Sequence, residues 1–72
     1  LVYLKDFQKG IESFNLALEK NPNYYQAAYN RALCYEGKGD KTNAEADLNL
    51  ALKLKPDYTE AAVELGRLRG DN

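Results

Sequence analysis

The chain predicts an all-α fold: four helices in antiparallel pairs, stacked as an α-solenoid. Three observations carry this. The sequence repeats itself at a spacing of 34 residues, its apolar residues recur at helical intervals, and proline or glycine stands at each joint. Shifting the chain by 34 superposes Asp6/Asp40, Asn15/Asn49, Leu16/Leu50, Ala17/Ala51, Leu18/Leu52, Pro22/Pro56, Tyr24/Tyr58, Ala27/Ala61 and Ala28/Ala62. A period of this size marks stacked units, each too small to bury its apolar face alone.

The first helix is expected over about residues 7 to 20. Phe7, Ile11, Phe14 and Leu18 step by four, three and four, which places them on one face. Pro22 cannot continue it, and Lys20 puts positive charge near its carbonyl end. The second helix, over about 24 to 37, carries Ala28, Ala32 and Tyr35 on its packing face. Asn23 and Gln26 are spaced as a capping box at its start. Gly37-Lys38-Gly39-Asp40 ends it, with glycine supplying a left-handed stop and Asp40 a cap for the next helix.

The third helix, over about 41 to 54, repeats the first, with Ala44, Leu48, Ala51 and Leu52 on its buried side. Pro56 closes it, with Lys53 and Lys55 near its end. The fourth, over about 58 to 69, opens on Asp57 and Glu60 as a second capping box and runs through Ala62, Leu65 and Gly66. Turns this short make neighbouring helices antiparallel.

Composition bounds the function. A chain of 72 residues carries about 4 to 11 kcal/mol of stability, so a missing neighbour matters. It opens on Leu1, which predicts a piece of a longer protein. Ten Lys and Arg are interspersed with eleven Asp and Glu, for a net charge of -1. Nucleic-acid binding needs clustered cations against phosphates, so this balance argues against it. There is no histidine and one cysteine, which excludes an internal disulfide, a zinc site of thiolates and imidazoles, and a histidine base. No cofactor, metal site or catalytic set is expected. No apolar run approaches membrane-spanning length. A lone thiol fits a reducing compartment such as the cytoplasm, without establishing one.

From Tyr25 to Tyr58 the residues resemble one complete tetratricopeptide repeat. Ala32, Tyr35, Gly39-Asp40, Ala44, Leu48, Ala51 and Pro56 stand in order on its small, aromatic, turn and proline sites. Residues 1–24 resemble the end of a preceding repeat, with Asp6, Phe7, Phe14, Ala17 and Pro22. Residues 59–72 resemble the first helix of a following one, with Leu65-Gly66 as its Leu-Gly pair. Three sites depart from the pattern: Ala28 replaces a large aromatic beside Tyr29, Arg31 replaces Leu, and Gly10 replaces Ala, so that crossing is either closer or looser. Pentatricopeptide repeats, which bind RNA, have a similar period but lack the Gly-Asp turn and closing proline.

The resemblance implies a scaffold whose first helices line a groove for a partner peptide or helix. Carried onto this chain, that groove is Gln26, Tyr29, Asn30, Leu33 and Glu36, continued by Glu60, Val63, Glu64 and Arg67. The Asn30 amide suits a peptide backbone, or is a solvated polar group. Relatives that clamp acidic chaperone tails use Lys, Asn and Arg at such sites. Here Gln26, Tyr29, Leu33, Glu60 and Glu64 take those places, which predicts a neutral or basic partner. Cys34 reads as a packing residue, and Arg31 as one that lays its stem over apolar surface and reaches a carboxylate on a neighbouring helix. Open ends at both extremities predict end-to-end self-association, or instability of the piece alone. Leu16 and Leu50 stand at a site usually polar, and so mark either a second contact surface or scattered exposed leucines.

Overall fold

The computed structural model describes residues 6–70. Four helices follow one another: α1 Phe7–Lys20, α2 Tyr25–Gly37, α3 Lys41–Leu54 and α4 Thr59–Arg69. The described residues contain no strand. Each helix packs on the next, α2 being clasped between α1 and α3 and α3 between α2 and α4. The described residues form a slab 31 × 29 × 16 Å.

The 34-residue period is present in the backbone as well as in the letters. At the end of α1, Asn21 N–H donates to Ala17 C=O at 2.9 Å and Tyr24 N–H to Asn21 C=O at 3.0 Å. At the end of α3, Lys55 N–H donates to Ala51 C=O at 2.9 Å and Tyr58 N–H to Lys55 C=O at 3.0 Å. Asn21 and Lys55 share nearly the same dihedrals, φ -140 ψ 88 and φ -141 ψ 90. One local sequence pattern therefore builds the same turn twice.

The joint between α2 and α3 is of another kind. Gly39, at φ +82, occupies the left-handed region, where a side chain would be strained. Its N–H donates to Glu36 C=O at 2.9 Å, and Asp40 N–H reaches back to Tyr35 C=O at 2.8 Å. These two bonds form a Schellman motif, which satisfies carbonyls that the helix end leaves unpaired. Asp40 caps α3 as expected: its Oδ1 accepts from Asn43 N–H at 3.2 Å and its Oδ2 from Asn43 Nδ2 at 2.7 Å.

Both expected capping boxes are corrected by the structure. The residues flanking α2 and α4 are Tyr24 and Tyr58, and neither helix receives a side-chain cap. The helices begin one residue later than a box requires, which leaves Asn23 and Asp57 outside them. Asn23 N–H instead donates to Asn21 Oδ1 at 3.2 Å, and the Asp57 carboxylate takes the Lys55 ammonium at 3.1 Å. The backbone carbonyls of Tyr24 and Tyr58 accept the first helical bonds.

The core is built largely of alanine. Ala28 and Ala32 of α2, Leu48 and Ala51 of α3, and Ala61 and Leu65 of α4 form one buried cluster, flanked by Leu18, Leu50, Leu52 and Leu68. Alanine brings helix axes close, so the large residues needed to fill the gaps are few. On α4 the buried face runs through Ala61 and Leu65. Ala62, expected on the packing face beside Leu65 and Gly66, is exposed, because the side of α4 that packs on the core is the one bearing Ala61 and Leu65.

Gly10 resolves to the closer of its two expected outcomes. A Cβ placed there would lie 2.8 Å from Cys34 Sγ, so the missing methyl lets α1 and α2 meet at this level. Cys34 is a half-buried packing residue, and burial raises its thiol pKa above the ordinary value. Arg31 bridges three helices: it grips Asp47 of α3 and donates from Nη1 to Asn15 Oδ1 of α1 at 2.9 Å.

The shared face of helices α2 and α4

Three tyrosines organise one end of this face. Tyr58, in the turn that launches α4, lies 5.2 Å from Tyr29 between ring centroids, tilted by 51°, and 5.1 Å from Tyr25 in an edge-on contact of 78°. The Lys55 ammonium sits 5.4 Å from the centre of the Tyr25 ring, within cation–π range. Tyr29 is thereby half-buried and held by its neighbour ring. Its hydroxyl pKa is raised first by burial and then by the carboxylates of Glu64, Glu60 and Glu36. Arg67 acts on the Tyr29 hydroxyl in the opposite sense.

Farther along, Glu36 of α2 meets α4. Arg67 Nη2 donates to Glu36 Oε1 at 2.9 Å, and the same guanidinium contacts Glu64, with Nε 3.3 Å from Glu64 Oε1. Burial pushes the Glu36 carboxyl up to about 7, and the adjacent Glu64 carboxylate adds to it. Glu64 is held below its ordinary value, chiefly by its bond to Arg67. Glu36 Oε2 is buried without a donor.

Of the residues expected on the groove, Glu36, Glu64 and Arg67 are brought together by these contacts, and Tyr29 packs instead on Tyr58. Gln26, Asn30 and Glu60 are exposed, Leu33 is half-buried, and Val63 is 64% exposed. Tyr25 and Tyr58 were not among the expected site residues. The visible signal for Tyr58 was its repetition of Tyr24 at the same turn. The face is open, and no pocket closes over it among the described residues.

Leu16 and Leu50 are not equivalent in space despite their shared register. Leu16 is 58% exposed on α1, whereas Leu50 is half-buried against the core cluster. Among the described residues, no cluster of side chains suits a metal ion and no helix is long and apolar enough to cross a membrane.

The family model of the tetratricopeptide repeat matches residues 1–59. A curated relative, the tetratricopeptide repeat and J domain-containing co-chaperone DNJ1 of Fusarium oxysporum f. sp. lycopersici, is 34% identical over 56 residues. That match covers 78% of this chain and 11% of the relative, so the chain spans a small part of that protein's length. Repeats of this kind mediate contacts between proteins. With four helices, a doubled turn geometry and this match, the chain belongs to the tetratricopeptide repeat family.

Proposed function

We propose that the shared face of α2 and α4 binds an extended or helical segment of a partner protein, neutral or basic in charge. One observation carries the reading. Val63 of α4 and the amides of Gln26 and Asn30 of α2 are exposed, and Tyr29 of α2 is already fixed by Tyr58, on helices that also bear Glu36, Glu60, Glu64 and Arg67. A ring held before binding loses little freedom on contact, exposed amides satisfy a peptide backbone, and the excess negative charge selects against acidic segments. Protein binding is the general property of the family.

The test is selection of peptides from a random library on the purified chain. Peptides that lose about tenfold in affinity to Asn30→Ala or Val63→Ala, with unchanged thermal midpoints, support the reading. Peptides rich in Asp and Glu, or indifferent to both variants, overturn it. Tyr29→Ala is a poor probe, because it also removes the contact with Tyr58.

A second reading, end-to-end association, has its own observation. Val63 and Tyr24 are 64% and 42% exposed, whereas the residues 34 positions away, Tyr29 and Tyr58, pack against each other. Positions that one repeat covers are thus bare at the two ends. Light scattering over a range of concentrations tests it, and a monomer throughout removes it.

A further inference from the structure

Helices α2 and α4 are both packed against α3, and among the described residues one ion pair, Arg67 with Glu36, joins them directly. Arg67 is one link: its guanidinium reaches Glu36 on α2 and Glu64 on its own helix. The other is latent. Glu36 and Glu64 are each only 15% exposed at the side chain, and Glu36 Oε2 is buried with no donor in reach. Two ionised carboxylates only accept, so they cannot bond to one another. With a single proton between them they can, and the buried oxygen gains its partner.

We infer that Glu36 and Glu64 form a proton-operated latch between α2 and α4. In the closed state Glu36 is protonated, and its Oε2–H donates to the Glu64 carboxylate. In the open state that proton has gone to solvent, two like charges face each other, and Arg67 alone ties the helices.

The surroundings leave this pair isolated. From α4, Glu64 and Arg67 face Glu36, with Glu60 farther along the same side acting on Tyr29; from α2 itself, Tyr29 shares the field. On the α1 side, Lys38 is bonded to Gln8. On the α3 side, Arg31 and Asp47 are committed to each other. The charged groups that act on Glu36 are Glu64 and Arg67, both of α4.

The direction of the pH effect follows from proton binding. Burial and the neighbouring Glu64 raise Glu36 from 4.5 to about 7, so the folded chain holds a proton in that window that the unfolded chain has lost. The Glu36 contribution to stability is then fully present below the ordinary value, is lost as pH rises to about 7, and changes no further above that. The lowered Glu64 acts in the opposite sense, and only at pH below this window. The chain has no histidine, so no imidazole titrates across the same range.

The latch stands on the face proposed for partners. Its opening would free that face and add a negative charge to it. The experiment uses the free protein, so failure of the latch is separable from failure of the binding reading. A carbon-13 titration of the side-chain carboxyls is expected to place the Glu36 midpoint near 7, against 4.5 for an ordinary glutamate. Hydrogen exchange, corrected for the intrinsic rate, is expected to show α4 amides losing about tenfold in protection between pH 5 and pH 8, less than the full shift allows because the site's rim meets solvent. Glu36→Gln, whose amide donates at every pH, is expected to abolish that loss. A Glu36 midpoint between 4 and 5 in the unaltered chain overturns the latch, and so does a Glu36→Gln variant that keeps the same pH dependence.

Discussion

Arg31 holds Asp47 through two parallel bonds, Nε to Oδ2 at 2.7 Å and Nη2 to Oδ1 at 2.6 Å. Asp47 is the buried charged residue of the core, with its side chain 7% exposed, and Arg31 covers it from α2. The bond to Asp47 raises the Arg31 pKa above its ordinary value. A planar guanidinium matched to a carboxylate in this way fixes the rotation of α2 against α3 as well as their distance.

Removing one partner strands the other. Arg31→Leu, which restores the family's usual residue, is expected to cost about 3 kcal/mol, because it leaves the Asp47 carboxylate buried and unpaired. Adding Asp47→Ala should recover most of that loss, since an apolar pair is often as stable as a buried ionic one. Urea melts of the single and double variants check this. Equal midpoints for both would show that the pair is not coupled.

The approach of α1 to α2 predicts a sign reversal. An alanine in mid-helix favours α1 by about 1 kcal/mol over glycine. At Gly10 the new methyl meets Cys34 Sγ at 2.8 Å, so Gly10→Ala alone should destabilise. With the sulfur removed in Cys34→Ala, the same Gly10 change should stabilise by about 1 kcal/mol. The four melting curves of this cycle decide the matter, and a Gly10→Ala variant stable in both backgrounds rejects the close contact.

The joint before α3 separates backbone strain from capping. Gly39→Ala forces a side chain into the left-handed region and should cost about 1 kcal/mol. Asp40→Ala should lower the thermal midpoint, while Asp40→Asn keeps an oxygen for Asn43 N–H and should lower it less. The Asn43 side chain, then its backbone amide, hold Asp40 below its ordinary pKa. Its contribution is present above that ordinary value and is lost on acidification through the folded one. Acid melts of the chain and of Asp40→Asn should therefore converge at low pH.

The helices, their order and the two kinds of joint were legible because each is written in adjacent residues. Pro22, Pro56, Gly39 and Asp40 act on their own turns, and the structure keeps all four in the expected roles. The capping boxes failed by a single residue. Asn23 and Asp57 carry suitable side chains, but the repeated turn starts its helix on the carbonyl of the following tyrosine. The Arg31 reach to a carboxylate was legible in kind, yet the chain offers eleven acidic residues and spacing does not single out Asp47. Leu16 and Leu50 share a register and differ in exposure, because burial depends on the neighbouring helix and not on the repeat.

From the linear chain alone came the repeating unit, the antiparallel helices and the family, all consequences of short-range hydrogen bonding and of apolar spacing within one helix. The pairing of Arg31 with Asp47, the stacking of Tyr29 on Tyr58 and the crowding of Glu36 by Glu64 join residues 16, 29 and 28 positions apart. Such contacts depend on how two helices are rotated and how deeply they are buried. Coulomb and desolvation energies change steeply over a few ångströms, a scale that packing sets and residue order does not.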